Sequence, residues 1–218
     1  MTEARPVSSL EWFRTQEQAP FNWAQSFERS RVALPPAVHL APRRILSPAN
    51  IYFLQEGVVG SVSVDENGHK MYTEVIEGPS FCGYQENPDS SFETLTHVTT
   101  HRAHWSSFER FLNVPPQEAH RKILQFMAER VRQKEIRMSQ LINDKAQRRI
   151  ARMIHQLTRH DPFIYMTEEE TAALAATSRQ TINQTMNEFM KRGLVAKQRE
   201  LYTVLNPSGV EEMIHSSE

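Results

Sequence analysis

Ser178-Arg179-Gln180-Thr181 is the most chemically loaded stretch of the chain. A hydroxyl, a guanidinium, an amide and a second hydroxyl follow one another, with Asn183, Gln184 and Asn187 close behind. Ile182, Met186, Phe189 and Met190 recur through the same residues at spacings of four, three and one, so the stretch reads as a helix with one buried face. Its other face is rich in N–H and O–H groups and poor in carboxylates, which suits phosphate oxygens and base edges of nucleic acid. Gly193 marks its C-terminal stop.

A second helix must precede this one. Thr167 and Glu170 form a Thr-x-x-Glu capping box, and Ala173, Leu174 and Ala176 supply a thin apolar stripe. Thr177-Ser178 breaks that helix and offers oxygens to cap the next. Leu194–Lys197 and Leu201–Leu205 then read as a hairpin around Gln198-Arg199-Glu200. Helix pairs are often plain structure; the complete order is what points to DNA.

From Met166 to Val195, and most sharply over Ser178-Arg179-Gln180-Thr181-Ile182, the chain resembles without a gap the C-terminal DNA-binding domain of the cyclic-AMP receptor protein / fumarate-nitrate regulator (Crp/Fnr) family. The resemblance implies a winged helix-turn-helix that reads double-stranded DNA as a homodimer, with half-sites about 34 Å apart. It implies base reading by Arg179, with Gln180 and Gln184 where cyclic-AMP-binding relatives have Glu and Arg. Thr167, Ser178 and Thr181 match the family's phosphate-contacting hydroxyls, and Lys197 and Arg199 on the wing are weaker candidates of that kind. RNA polymerase is a further candidate partner.

The charge distribution agrees. Net charge is −1, but residues 121–200 hold 16 Lys/Arg against 9 Asp/Glu, leaving an acidic remainder. A basic C-terminal part on an acidic body is an electrostatic footprint for DNA. The 218 residues suffice for two small domains. No apolar run approaches a membrane span of about 18 residues, and the N-terminus lacks the layout of a secretion signal. A single cysteine, Cys82, excludes an internal disulfide and an iron–sulfur cluster in this chain, and the expected location is cytoplasmic.

The remaining elements assemble around that DNA-binding part. Residues 1–30, with Trp12, Phe13, Phe21, Trp23 and Phe27, read as a helical segment. From 31 to 112, Ile51–Leu54, Val58–Val64 and Met71–Ile76 are short strands among turn signals, with Asn67-Gly68 marking a hairpin. Short strands with regular turns mean a small barrel or sandwich. Ile51–Val59 also resembles the family's β-roll sensor, a double-stranded β-helix of the cyclic-nucleotide-binding kind. Relatives that hold cyclic AMP carry Gly-Glu-Leu and then Arg-Ser or Arg-Ala. Here the corresponding residues are Phe81-Cys82-Gly83-Tyr84-Gln85-Glu86 and Ser90–Leu95, with no Arg between Arg44 and Arg102. A buried phosphodiester without a cation is poorly compensated, so cyclic AMP is not the expected effector, and no cofactor is expected.

His97, His101 and His104 fall in a Thr-rich segment, 94–105, that reads as the roll's last strands, where they do not share a face. They make poor metal ligands there, and Cys82 reads as a buried thiol. Residues 113–143 form one long helix whose Leu124, Met127, Val131, Lys134, Met138 and Leu141 keep spacings of three and four. That seam suits a homodimer coiled coil, Lys134 being its one break. Ile123 and Phe126 lie to one side to face the roll. Asn143-Asp144 is the hinge, with Asp144 as cap of a helix 145–158 whose inner face is Ile150, Met153, Ile154 and Leu157; the DNA-binding domain occupies 144–218. The fold class is therefore α+β: β-roll, long dimerisation helix, winged helix-turn-helix. Two rivals stand beside this non-enzymatic regulator: a cupin-type metal enzyme using the three histidines, against which their spacing argues, and a protein-interaction module that does not bind DNA.

Overall fold

The computed structural model describes residues 34–83, 90–113, 117–159, 161–199 and 201–215. The expected helical segment 1–30 and the Tyr84-Gln85-Glu86 part of the cyclic-nucleotide comparison lie outside them.

Eight strands build the N-terminal half: β1 (Ala37–Leu40), β2 (Ile45–Leu46), β3 (Asn50–Glu56), β4 (Val58–Val64), β5 (Lys70–Glu77), β6 (Ser80–Gly83), β7 (Ser90–Thr94) and β8 (Val98–His104). They pair into two four-stranded sheets, in the orders β1-β8-β3-β6 and β2-β7-β4-β5, every pairing antiparallel. Apart from the β4–β5 hairpin, consecutive strands pass from one sheet to the other, which is the expected roll. Leu46, Tyr52, Leu54, Val59, Ile76, Cys82, Phe92 and Val98 fill the space between the sheets. The hairpin expected at Asn67-Gly68 joins β4 to β5. Asp65 closes it by accepting hydrogen bonds from the Asn67 and His69 amides, and Gly68 takes φ +82°.

Helices follow: α1 (Trp105–Asn113), α2 (Gln117–Asn143), α3 (Ala146–Leu157), α4 (Glu168–Leu174), α5 (Arg179–Lys191) and α6 (Pro207–His215). The roll's last strand stops at His104, one residue before the expected Trp105. Trp105 opens α1, whose Phe108 packs on Phe53 in a second apolar cluster with Ile51, Ala103 and Ile123. Ile123 is buried and Phe126 meets Phe81 edge-on, so α2 faces the roll with the two side chains its sequence set aside for it.

The third cluster is the core of the C-terminal half. Ile150, Met153, Ile154 and Leu157 of α3 join Ile182, Met186 and Phe189 of α5, Ile164, Tyr202 and Val204, and they also meet Val58, Val62, Tyr72 and Leu95 of the roll. The two halves thus share apolar contact. Three strands, β9 (Phe163–Ile164), β10 (Val195–Gln198) and β11 (Leu201–Val204), form a sheet in the order β10-β11-β9. At its tip Gln198 pairs with Leu201, and Arg199 takes the positive φ of 55° where glycine is the usual choice.

Two local expectations are corrected. Asp144 does not cap α3: Lys145 holds the cap position with no side-chain hydrogen bond, while the Asp144 carboxylate accepts from Arg152 at 2.9 Å and Arg148 at 3.5 Å. Two guanidiniums outbid one backbone amide for that carboxylate. In α4 the buried side chains are Glu170, Thr171, Ala172 and Leu174, so of the expected stripe Ala173, Leu174 and Ala176 only Leu174 is fully buried. Ala173 is half-buried, and Ala176 lies beyond the helix, exposed, with φ +49° in the turn to α5.

Candidate nucleic-acid interface

The helix-turn-helix is assembled from its caps outward. Thr167 Oγ1 accepts from the Glu170 amide at 3.2 Å, and Glu170 Oε2 accepts from the Thr167 amide at 2.9 Å, so the capping box is complete. Ala176, in the left-handed region, reverses the chain within the turn. Arg149 of α3 secures that turn from behind: Nε donates to the Ala175 carbonyl and Nη2 to the Ala176 carbonyl, each at 3.0 Å. Ser178 then caps α5, its Oγ accepting from the Thr181 amide at 3.1 Å.

On α5, Ile182, Met186 and Phe189 are buried and Met190 half-buried, as their spacing requires, and Thr185 joins the buried side. The helix ends at Lys191 with Arg192 as its C-cap, and Gly193 follows with φ +68°; a Cβ there would meet nothing within 4 Å, so the backbone conformation alone explains the glycine. Arg179, Gln180, Gln184 and Asn187 are exposed on the opposite face, with Arg179 at 68% of its side chain. Ser178 is exposed beside them and Thr181 half-buried, the two hydroxyls 2.8 Å apart. Thr167 is exposed at the start of α4, its hydroxyl donating to Glu170 Oε2 at 3.0 Å. Lys197 and Arg199 stand on the exposed wing.

One member of this surface was invisible in the sequence. Glu168, the first residue of α4, accepts Lys197 Nζ at 2.8 Å and the Tyr202 hydroxyl at 3.4 Å on Oε1, and Arg179 Nε at 3.3 Å on Oε2. Lys197 also lies 4.9 Å above the Tyr202 ring. The hydrogen bond from Lys197, with help from Asn183 and Arg179, pulls the Glu168 carboxyl down to about 2. In sequence, Glu168-Glu169-Glu170 reads only as acid favoured at a helix N-terminus; no spacing connects Glu168 to residues 11 and 29 positions away.

The DNA-binding part is tied to the roll by polar contacts as well as by the shared core. Glu170 Oε1 accepts Lys70 Nζ at 3.0 Å and Arg43 Nη2 at 3.3 Å, while Lys70 also reaches Glu93 at 2.9 Å. His97 Nδ1 meets Asp161 at 2.7 Å, and Arg137 of α2 donates to the Leu174 carbonyl at 2.7 Å. The three expected histidines do not converge: His101 contacts Gln55 and the Pro35 carbonyl, and His104 contacts Ser106. Among the described residues no group of three His, Cys, Asp or Glu could hold a metal ion. Cys82 is buried among apolar side chains, and burial pushes its thiol up to about 12, so it is not a ready nucleophile.

The seam residues Leu124, Met127, Val131, Met138 and Leu141 are 39 to 66% exposed along α2. Lys134 leaves the seam to meet Glu74 of the roll at 3.3 Å. No described helix is long and apolar enough to cross a membrane.

Residues 148–213 match the Crp-like helix-turn-helix domain family. No curated protein matches the chain. Among solved structures, a CRP/FNR-family transcriptional regulator from Thermus thermophilus is 18% identical with a TM-score of 0.65, the match covering 84% of this chain and 100% of that one. A CRP-family regulator from the same organism gives 16%, 0.63, 82% and 97%, and FixK2 from Bradyrhizobium japonicum gives 14%, 0.63, 84% and 98%. The capped helix pair, its wing and the roll above it thus share one fold with these regulators, and with its Crp-like helix-turn-helix domain the chain is a DNA-binding transcription regulator.

Proposed function

We propose that the protein acts as a cytoplasmic homodimer, without enzymatic activity, that inserts α5 into the major groove at each of two half-sites and is not controlled by cyclic AMP. The observation that carries this reading is α5 itself: one face is locked into the core, and the other offers Arg179, Gln180 and Gln184 to solvent beside the wing. Arg179 suits guanine through its two-pronged guanidinium, and Gln180 or Gln184 suits adenine. Thr167, Ser178, Thr181, Lys197 and Arg199 are the phosphate contacts, which fix register without reading sequence.

The dimer follows from α2. Five large apolar side chains in a three-four repeat, all open to water, are costly unless a like helix covers them. Self-pairing of the two seams supplies that cover and sets the two recognition helices about one DNA turn, roughly 34 Å, apart. Independence from cyclic AMP is supported by the missing arginine between Arg44 and Arg102. Arg130, on the helix facing the roll, is engaged by Glu74. RNA polymerase is the partner expected of such a regulator on DNA.

Selection of bound sequences from a random pool tests DNA reading: enrichment of a two-fold symmetric site is expected, and a flat pool would refute it. Sedimentation tests the seam. Wild type should be a dimer at micromolar concentration, and Val131→Glu with Met138→Glu should be monomeric, because the pair would bury unpaired charge.

A further inference from the structure

Glu168 places a full negative charge on the face that meets DNA, between two cations that the phosphate backbone would also attract. Taken alone, that arrangement weakens binding to DNA of any sequence. The geometry shows what it supplies in return. Among the described residues Arg179 is held by its Nε alone, on Glu168, which leaves the fork of two terminal amino groups for a ligand, and that fork is the edge that matches O6 and N7 of guanine. An arginine at a helix start otherwise samples many rotamers and must be ordered when it binds. The same carboxylate holds Lys197 on the wing, and Asn183 contributes to it from α5, so it fastens both DNA-facing elements to the start of α4.

We infer that Glu168 is a positioning residue for base reading, lowering affinity for all DNA while raising discrimination at the base that Arg179 contacts. The inference rests on Arg179 being the base reader. Glu168 itself touches no base; it acts by restricting the guanidinium before the protein reaches the groove. Two substitutions separate its two effects. Glu168→Gln removes the charge, whereas Glu168→Asp keeps the charge but withdraws it from Arg179 by one methylene.

The experiment measures binding of full-length protein to its selected site, to that site with the Arg179-contacted guanine replaced, and to random duplex DNA, all at one salt concentration. In Glu168→Gln, binding to random duplex should rise, and the ratio of selected to guanine-replaced site should fall by about three- to tenfold, the scale of coupling between contacting side chains. Glu168→Asp should lose the same ratio without the gain on random DNA. In an Arg179→Ala background, Glu168→Gln should leave the ratio unchanged. If Arg179→Ala alone keeps the wild-type ratio, the base-reading role of Arg179 falls. If Arg179→Ala loses it and both Glu168 variants keep it, the positioning role falls by itself. A ratio that drops equally with and without Arg179 also overturns it, since Glu168 would then act through other contacts. Thermal unfolding of each variant identifies loss of fold, and the more stable of the two Glu168 variants then decides the question.

Discussion

Where the roll meets α2, Arg130 gives both Nε and Nη2 to Glu74 at 2.6 and 2.7 Å, with only 26% of its side chain exposed. On the DNA face, Arg179 gives Nε alone to Glu168 at 3.3 Å and is 68% exposed. The chemical groups are the same. In the first pair the two-pronged fit uses the donors of one whole edge, and burial makes either partner costly without the other. In the second the fit is partial and wet, so the pair adds little to stability and leaves donors over for a ligand. An arginine that is fully matched holds a domain together, and one that is half-matched can still read something.

Breaking the buried pair should have the largest effect. Glu74→Ala strands Arg130 and leaves Lys134 without its contact, and it should destabilise the protein by about 3–5 kcal/mol in denaturant titration. Replacing both Glu74 and Arg130 with apolar residues of similar size should recover much of that loss. Burial pushes the Glu74 carboxyl up, but hydrogen bonds and charge from Arg130 and Lys134 outweigh it and hold the carboxyl below its usual value of 4.5. Its contribution is therefore present above pH 4.5 and is lost as pH falls through the lowered value. Between those limits Glu74→Ala should show a shallower acid loss of stability than wild type. Equal slopes would mean that this pair does not set acid stability.

How far the sequence reached follows the same contrast. The buried face of α5, the inward side chains of α3 and the open seam of α2 were legible because each repeats with the helix period, which is a local property. The pairing of Glu74 with Arg130 was not, because the partners are 56 residues apart and meet only when the roll has closed. In α4, Thr171–Ala176 is Thr-Ala-Ala-Leu-Ala-Ala, in which small apolar residues fill nearly every phase; the buried stripe could not be fixed until the turn at Ala176 was known. Asp144 was given to the nearest backbone donor, although Arg148 and Arg152, one and two turns later, compete for it more strongly.

A smaller effect is expected at the half-matched pair. Arg179→Ala should cost about 1–3 kcal/mol at the selected site and relax the preference for one base in each half-site, as measured by titration and repeated selection. Folding stability should hardly change, since the side chain is exposed and its contact with Glu168 is weak. A fall in binding that is equal for every sequence would assign Arg179 to phosphate rather than to a base.

The smallest effect should come from Ser178, where structure and recognition meet in one hydroxyl. Its Oγ caps α5 by accepting from the Thr181 amide, and it lies 2.8 Å from the Thr181 hydroxyl on the exposed side. Ser178→Ala removes the cap and should cost about 1 kcal/mol of stability, within the range for such substitutions. If Ser178 also meets a phosphate, binding should weaken alike for the selected site and for random DNA, because a phosphate contact carries no base information. Ser178→Asp separates the two roles. Aspartate caps as well as serine, so stability should return, while its charge should repel the phosphate and deepen the loss of binding. Restored stability together with restored binding would show that Ser178 serves the helix alone, and that α5 meets the backbone through other hydroxyls.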